Sequence, residues 1–573
     1  GAGRRRPGHG RRPKLPRRQG PGGPEAPATD GRAEERRKVA QGTWSSVALA
    51  EPAEREERWS LRERDRLRRD GGALERLCSL RGTYYLNGLA SCDIGGRLVH
   101  PFEAHGFVRS LEFHGDGTVT YRSRYVQTPC HSLERAAQRP LFRGVFSNVV
   151  DFELPLGLLN ALSPRERETA NLACRFWPPP GAGGGAAPVL MAAGDNDTPQ
   201  ALDPQSLATR GPLGFEGLAG QKWLAHTRYD VARGRLAFAS CSFVPDVAGG
   251  GLATRLEFRE YDAGGALVAE ASHTTGFMVM HDWALTEHYY VVPKGPARLQ
   301  PAGLARFLAG LGQGAEVFAM AEDSPSALLL VPRPGVEREV REVAADRFFN
   351  IFHLGPTYER QGGAELVVHG VGFDKYKFGR EMGFDVARQD FDPIEWSAGA
   401  ENPPPRLHRF IVDIEQGLLS SREQLPLLDH GTSGPGGPVD VPVDMPTFHP
   451  LCDGAPARYC YFSGAARPEG WFPFRSVVKA DLAAGRAENW DAGDDCVVSE
   501  PLLLPRGSGA REWLGEERED DGWLVSIVHN AGAGRCELVV FDAQRFSEGP
   551  VAALDLGALS PWGVHGCWVP GEA

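Results

Sequence analysis

At 573 residues, with 41% hydrophobic and 24% charged side chains, the chain has the composition of a globular protein and is long enough to bury a substantial core. Its formal net charge of −11 excludes a general nucleic-acid binder, which needs a basic face, and no apolar run is long enough to predict a transmembrane helix. The ten scattered cysteines lack C-x-x-C spacing, which excludes a zinc finger and predicts reduced, buried thiols instead of a disulfide framework.

Residues 1–42 carry eight Arg or Lys before the first acid, Glu25, and few large apolar groups, which predicts a disordered basic tail. A transit peptide has this charge but is also rich in serine, and the first serine is Ser45, so a targeting remnant and a plain linker both fit. Residues 43–80 form a charged extension, and the composition of 52–80 predicts a solvated helix with a thin apolar stripe of Trp59, Leu61, Leu67, Leu74 and Leu77.

From residue 81 to 573 the pattern is one of short strands and tight turns, in keeping with 71 glycines and 45 prolines. One unit recurs: an apolar or aromatic residue, Asp, a few small or polar residues, Gly, then alternating apolar positions. It occurs as LDPQSLATRG (202–211), YDVARGRLAFAS (229–240), YDAGGALVAEAS (261–272), ADLAAGRAENW (480–490) and FDAQRFSEGPVAALDLG (541–557). Each copy predicts a strand, a turn and a returning strand, and their irregular spacing suggests a β-propeller with long insertions. Two segments, 154–177 and 301–311, break the β pattern and are expected to be partly helical parts of a cap.

Among sixteen histidines, four stand in distinctive settings: His226 in WLAHTRYD, His281 in MHDWALTEHYYVV, His353 in FFNIFHLGPTYE and His565 in GVHGCWVP. Their irregular separations exclude a one-helix motif such as H-E-x-x-H, so a shared site would draw each from a different strand. Imidazole suits iron, copper, nickel and zinc, and ligand type alone does not choose between them. The chain has no G-x-S-x-G elbow and no Walker A loop, and its scattered glycines do not lead a strand into a helix.

These four segments resemble those of the carotenoid cleavage oxygenase family. The likeness runs from about residue 81 to 570 and takes in HPFEAHGFVRSLEFHGDGTVTYRSRYVQT (100–128), SEPLLLP (499–505), EDDGWLVSIVH (519–529) and PWGVHGCWVP (561–570), in the family's order. The resemblance implies an all-β fold, a seven-bladed propeller with a helical and loop cap over the metal face. It implies that His226, His281, His353 and His565 hold one Fe2+ per chain, with O2 as co-substrate. The implied reaction cleaves a conjugated double bond of a carotenoid or apocarotenoid to carbonyl products.

Where the family supports its ligands with three glutamates, this chain has Asp195, Asp444 and Glu500. By resemblance Asp195 supports His281, Asp444 supports His353, Glu500 supports His565, and His226 is unsupported. Aspartate is one methylene shorter, so its bond to imidazole is expected to lengthen or to pass through water unless the backbone moves inward. Phe349, Phe352 and Trp283, near the ligands, are the expected aromatic lining of a substrate tunnel. The resemblance further implies peripheral membrane contact through apolar cap residues and a plastid location, with the cytoplasm as the alternative. Other readings are a weakened member that binds carotenoid or serves as an assembly subunit, a stilbene-cleaving oxygenase, and a polyene isomerase.

Overall fold

The recurring Asp-Gly unit builds its own hairpins. In all five copies the aspartate side chain accepts a backbone N–H group two or three residues ahead: Asp203 from Ser206, Asp230 from Arg233, Asp262 from Gly264, Asp481 from Ala484 and Asp542 from Gln544. Such a cap closes a turn without needing the sheet ladder. The fifth copy makes a longer connection, in which a 3-10 segment, Ala543–Glu548, separates the paired strands Arg535–Asp542 and Ala552–Ala558.

The computed structural model describes residues 31–68, 72–147, 166–179, 187–246, 251–385, 388–425, 428–429, 439–465, 470–506 and 519–571. The strands assemble into a seven-bladed β-propeller. Blade 1 holds Arg55–Ser60, Thr118–Tyr125, Phe107–His114, Arg81–Gly88 and Gly563–Pro570, in that spatial order. Blade 2 runs from Ala173–Trp177 to Thr209–Pro212, and blade 3 from Arg228–Asp230 to Leu267–Gly276. Blade 4 is built around Tyr289–Leu299 and Ala327–Pro332, and blade 5 runs from Asn350–Arg360 to Leu418–Gln424. Blade 6 contains Val443–Thr447, Tyr459–Gly464, Ser476–Asp481 and Arg486–Asp491; blade 7 runs from Cys496–Val498 to Ala552–Ala558. The ring closes where Gly563–Pro570 pairs antiparallel with Arg81–Gly88 in blade 1.

Alternating side chains fill the gaps between blades. Leu256, Phe258, Tyr290 and Leu329 pack blade 3 on blade 4; Val291, Leu330, Phe349 and Phe410 pack blade 4 on blade 5; Leu111, Val119, Val525 and Leu538 join blade 1 to blade 7. Each such buried side chain stabilises the ring by about 2 kcal/mol relative to exposure. All ten cysteines are free thiols, and no helix among the described residues is long and apolar enough to cross a membrane.

Three expectations are corrected. The tail was expected to extend to residue 42, but Gly31–Ala48 is a helix, anchored by Trp44 against Phe472 and Trp562. The expected helix over 52–80 is instead a strand, Arg55–Ser60, on the outer edge of blade 1, followed by the short helices Leu61–Arg64 and Gly72–Cys78. Trp59, Leu61, Leu74 and Leu77 are buried there while Leu67 is 36% exposed, so the stripe comes from several elements, not one helix face. Within 154–177, Ala173–Trp177 is a strand of blade 2; positions 154–165, like the tail before residue 31, lie outside the described residues. The second expected cap segment is helical, Pro301–Leu308.

Candidate metal centre

Every blade sends one member to the axis. His226 precedes the first strand of blade 3, His281 lies between Met278–Val279 and Ala284–Leu285 of blade 4, and His353 is on the edge strand of blade 5. His565 is on the ring-closing strand of blade 1, Asp195 follows the second strand of blade 2, Asp444 is on the edge strand of blade 6, and Glu500 lies between the first two strands of blade 7. Residues far apart in sequence meet because the equivalent edge of each blade faces a common line.

One ring nitrogen from each of the four histidines lies within 4.8 Å of the others. His281 Nε2 is 3.3 Å from His226 Nε2 and 3.2 Å from His353 Nε2. Three of the rings are oriented from behind: His353 Nδ1 is 2.7 Å from Asp444 Oδ1, His565 Nδ1 is 2.7 Å from Glu500 Oε1, and His281 Nδ1 is in direct contact with Asp195 Oδ2. An ionised carboxylate only accepts, so each Nδ1 carries the proton and each Nε2 presents a lone pair to the axis. Lone pairs aimed at one another across this gap repel unless a cation lies between them. Ligands about 2.1 Å from a metal and at right angles stand about 3.0 Å apart, so the donor set fits one metal ion.

Of the two outcomes expected for the shorter aspartates, the lengthened or water-bridged bond is not the one found: both touch their imidazoles directly. The backbone beside each departs from regular strand geometry. Asp444 lies at a register shift in the pairing of Val443–Thr447 with Tyr459–Gly464, and the next residue, Met445, has φ 56°. Asp195 is likewise followed by Asn196 at φ 56°. The second oxygens are tied down as well, since Ala225 N donates to Asp195 Oδ1 (2.9 Å) and Gly566 N to Glu500 Oε2 (3.0 Å).

Burial, reinforced by the neighbouring rings of His565, His281 and His353, holds His226 well below the usual imidazole range. Burial also lowers His353, against the pull of Asp444. Burial opposes a charge on His281 too, but Asp195 overcomes it and raises that ring. A cation at the axis answers the same negative field as that proton.

The expected aromatic lining divides. Phe352 stacks on His281, with centroids 4.1 Å apart and 18° between planes. Phe349 instead packs on Phe410 between blades 4 and 5, and Trp283 is fully buried between blades 3 and 4, so neither lines an open path. From Phe352 a chain of rings that sequence reasoning missed leads outward: Tyr376 (6.0 Å), Phe378 (6.4 Å), Phe318 (4.7 Å), Phe277 (6.2 Å) and Phe243 (5.1 Å). Phe243 is 47% exposed, so the row reaches the surface. The close spacing of aromatics in FDKYKF (373–378) is the one sequence signal for it. A second approach is mixed in character: a cavity of about 180 Å³ borders His226, His353 and His565 and is lined by Arg175, Arg228, Asp282 and Asp453 together with Phe448, Leu502 and Leu503. None of the aromatic row borders it.

A β-propeller with four imidazoles converging on its axis and carboxylates behind three of them is a candidate metal-binding protein, with the donor set of a single-ion centre. The chain belongs to the carotenoid cleavage oxygenase family: the family model described as retinal pigment epithelial membrane protein matches residues 78–570. It is 29% identical over 500 residues to the apocarotenoid-15,15'-oxygenase of Synechocystis sp., covering 85% of this chain and 90% of the relative. It is 27% identical to carotenoid cleavage dioxygenase 7, a chloroplastic protein of Oryza sativa subsp. japonica (85% of each chain covered). It is 26% identical to lignostilbene-alpha,beta-dioxygenase isozyme III of Sphingomonas paucimobilis (82% and 86% covered). The crystal structure of cobalt-substituted Synechocystis apocarotenoid oxygenase superposes with TM-score 0.74 at 25% identity, covering 92% of this chain and 98% of that one.

Proposed function

We propose that this chain is an iron(II)-dependent dioxygenase that cleaves a conjugated carbon–carbon double bond of a carotenoid or apocarotenoid to two carbonyl products. The observation that carries the reading is the aromatic row that runs unbroken from exposed Phe243 to Phe352 and ends in a stack on His281. Aromatic faces leading from the surface to the metal ligands suit a long apolar substrate better than a short polar one.

His226, His281, His353 and His565 would hold the iron, with Asp195, Asp444 and Glu500 fixing three of the rings. Iron held by these four neutral ligands would supply redox chemistry toward dioxygen. The remaining work belongs to the chain. Phe352 and Tyr376 hold the alkene flat and favour positive charge developing along a polyene. The surrounding core of Phe373, Met445 and Phe474 excludes water from the reacting segment. Leu308 is 67% exposed on its helix, and Val145, whose carbonyl accepts from Ala315 N at 2.7 Å, is 41% exposed. These groups suit peripheral contact with a membrane from which a lipid-like substrate is drawn.

The direct contacts of Asp195 and Asp444 take away the physical reason to expect a weakened site and favour turnover over a binding or assembly role. Metal analysis with oxygen uptake on an apocarotenoid tests the reading. Stoichiometric iron and carbonyl products are expected; a protein that binds the pigment, takes up no iron and consumes no oxygen would sink it. A stilbene run in the same assay, giving aldehydes where the apocarotenoid does not, would move the substrate and leave the chemistry in place.

A further inference from the structure

Among the described residues, no carboxylate stands at hydrogen-bond distance from His226. Its Nδ1 is 3.8 Å from Asp282 Oδ1, too far for a hydrogen bond. What holds this residue is the dipeptide that follows His281. Trp283 Nε1 donates to the His226 carbonyl (2.9 Å), and Arg228, two residues beyond His226, donates through Nε to the Trp283 carbonyl (2.6 Å) and through its terminal nitrogen to Asp282 Oδ1. On its other side, Asp282 Oδ2 accepts from the backbone N–H of Leu354, the neighbour of His353, at 2.7 Å. Trp283 N closes the set on Asp282 Oδ1 at 2.8 Å. Asp282, Trp283, Arg228 and Leu354 are all buried.

We propose that Asp282 and Arg228 are positioning residues: a charge-paired crosspiece that sets the spacing of the His226, His281 and His353 strands and gives His226 its nearest negative charge. The inference rests on reading the four imidazoles as a metal site. A carboxylate one residue from a ligand could swing inward and ligate; here three N–H donors saturate it, and the guanidinium neutralises it, so it acts as a strut. Asparagine cannot replace it. An amide presents an N–H on one side, against either Leu354 N–H or the Trp283 and Arg228 donors, so one tie must break.

The test uses Co2+ as probe. Wild type, Asp282→Asn, Arg228→Lys and Glu500→Gln are stripped of metal, titrated with Co2+ and followed by visible absorption, with thermal melting of each metal-free form. Glu500→Gln sets the scale for losing an imidazole support, about 10- to 100-fold in affinity. Asp282→Asn is expected to weaken Co2+ binding at least tenfold and to shift the absorption band, while its metal-free form still melts cooperatively. Arg228→Lys, which keeps the charge but loses the two-pronged grip, shifts the band in the same direction by less. It decides the matter should Asp282→Asn not fold. Wild-type affinity and an unshifted band in Asp282→Asn overturn the crosspiece, as does weaker binding that only tracks a lowered melting temperature with the band unchanged. If wild type and Glu500→Gln behave as expected, that failure is the crosspiece's alone. Wild type that takes up no Co2+ overturns the metal reading and this inference together.

Discussion

Blades 6 and 7 solve the same problem by different means. In blade 7 the longer side chain of Glu500 reaches His565 from backbone with ordinary φ, and in blade 6 the shorter Asp444 reaches His353 from a strand that breaks register and carries Met445 at φ 56°. Both contacts are 2.7 Å. Blade 2 repeats the second solution, with Asn196 at the positive φ. Side-chain length and backbone path are thus exchangeable at this site, and a shortened carboxylate is not evidence of a slackened metal centre. The exchange has a conformational cost of roughly 1 kcal/mol or more for a non-glycine residue in the left-handed region. Asparagine bears this more easily than methionine, whose side chain cannot hydrogen-bond to its own backbone there.

The largest expected effect comes from removing a ring that one of these carboxylates supports. His281→Ala should abolish iron binding and cleavage while the protein stays folded and soluble, as checked by metal analysis and melting; an iron-loaded, active variant would defeat the four-histidine assignment. Next come the reciprocal swaps. Asp444→Glu pushes a methylene into a buried contact that is already direct, and Glu500→Asp withdraws one where the flanking backbone has ordinary φ. Each should lower metal affinity about 10- to 100-fold by titration. A gain in Asp444→Glu would show that blade 6 has not adapted to the shorter residue. The smallest effect belongs to Asn196→Val. A β-branched residue at φ 56° should cost about 1–2 kcal/mol of stability by denaturant unfolding and loosen metal binding less than either swap. An equal cost for a valine placed beside Glu500 would erase the contrast between the blades.

The sequence made some of this plain and hid the rest for identifiable reasons. Asp203, Asp230, Asp262 and Asp481 were legible as turn residues because their side chains act on neighbours two or three positions away. The four histidines were legible because each sits in a segment that resembles the family's. The strand Arg55–Ser60 was hidden: REERWS has the charge density of a solvated helix, and only pairing with Thr118–Tyr125, a long-range event, makes it an edge strand. The helix Gly31–Ala48 was hidden for a similar reason, since its burial rests on Trp44 meeting Phe472 and Trp562 from far along the chain. Phe349 was misplaced because nearness in sequence to a ligand does not fix which way a strand residue points. It faces Phe410, while Phe352 and His353 turn toward the axis. Asp282 passed unnoticed beside His281, although its partners Leu354 and Arg228 stand one and two residues from other ligands.

His565 lies on the strand that closes the ring against Arg81–Gly88. During synthesis, three imidazoles emerge from the ribosome well before the fourth, and the fourth takes its place only when a late strand docks on an early one. The four-imidazole set is therefore complete only once the toroid has closed, and a partly made chain presents three of its four donors.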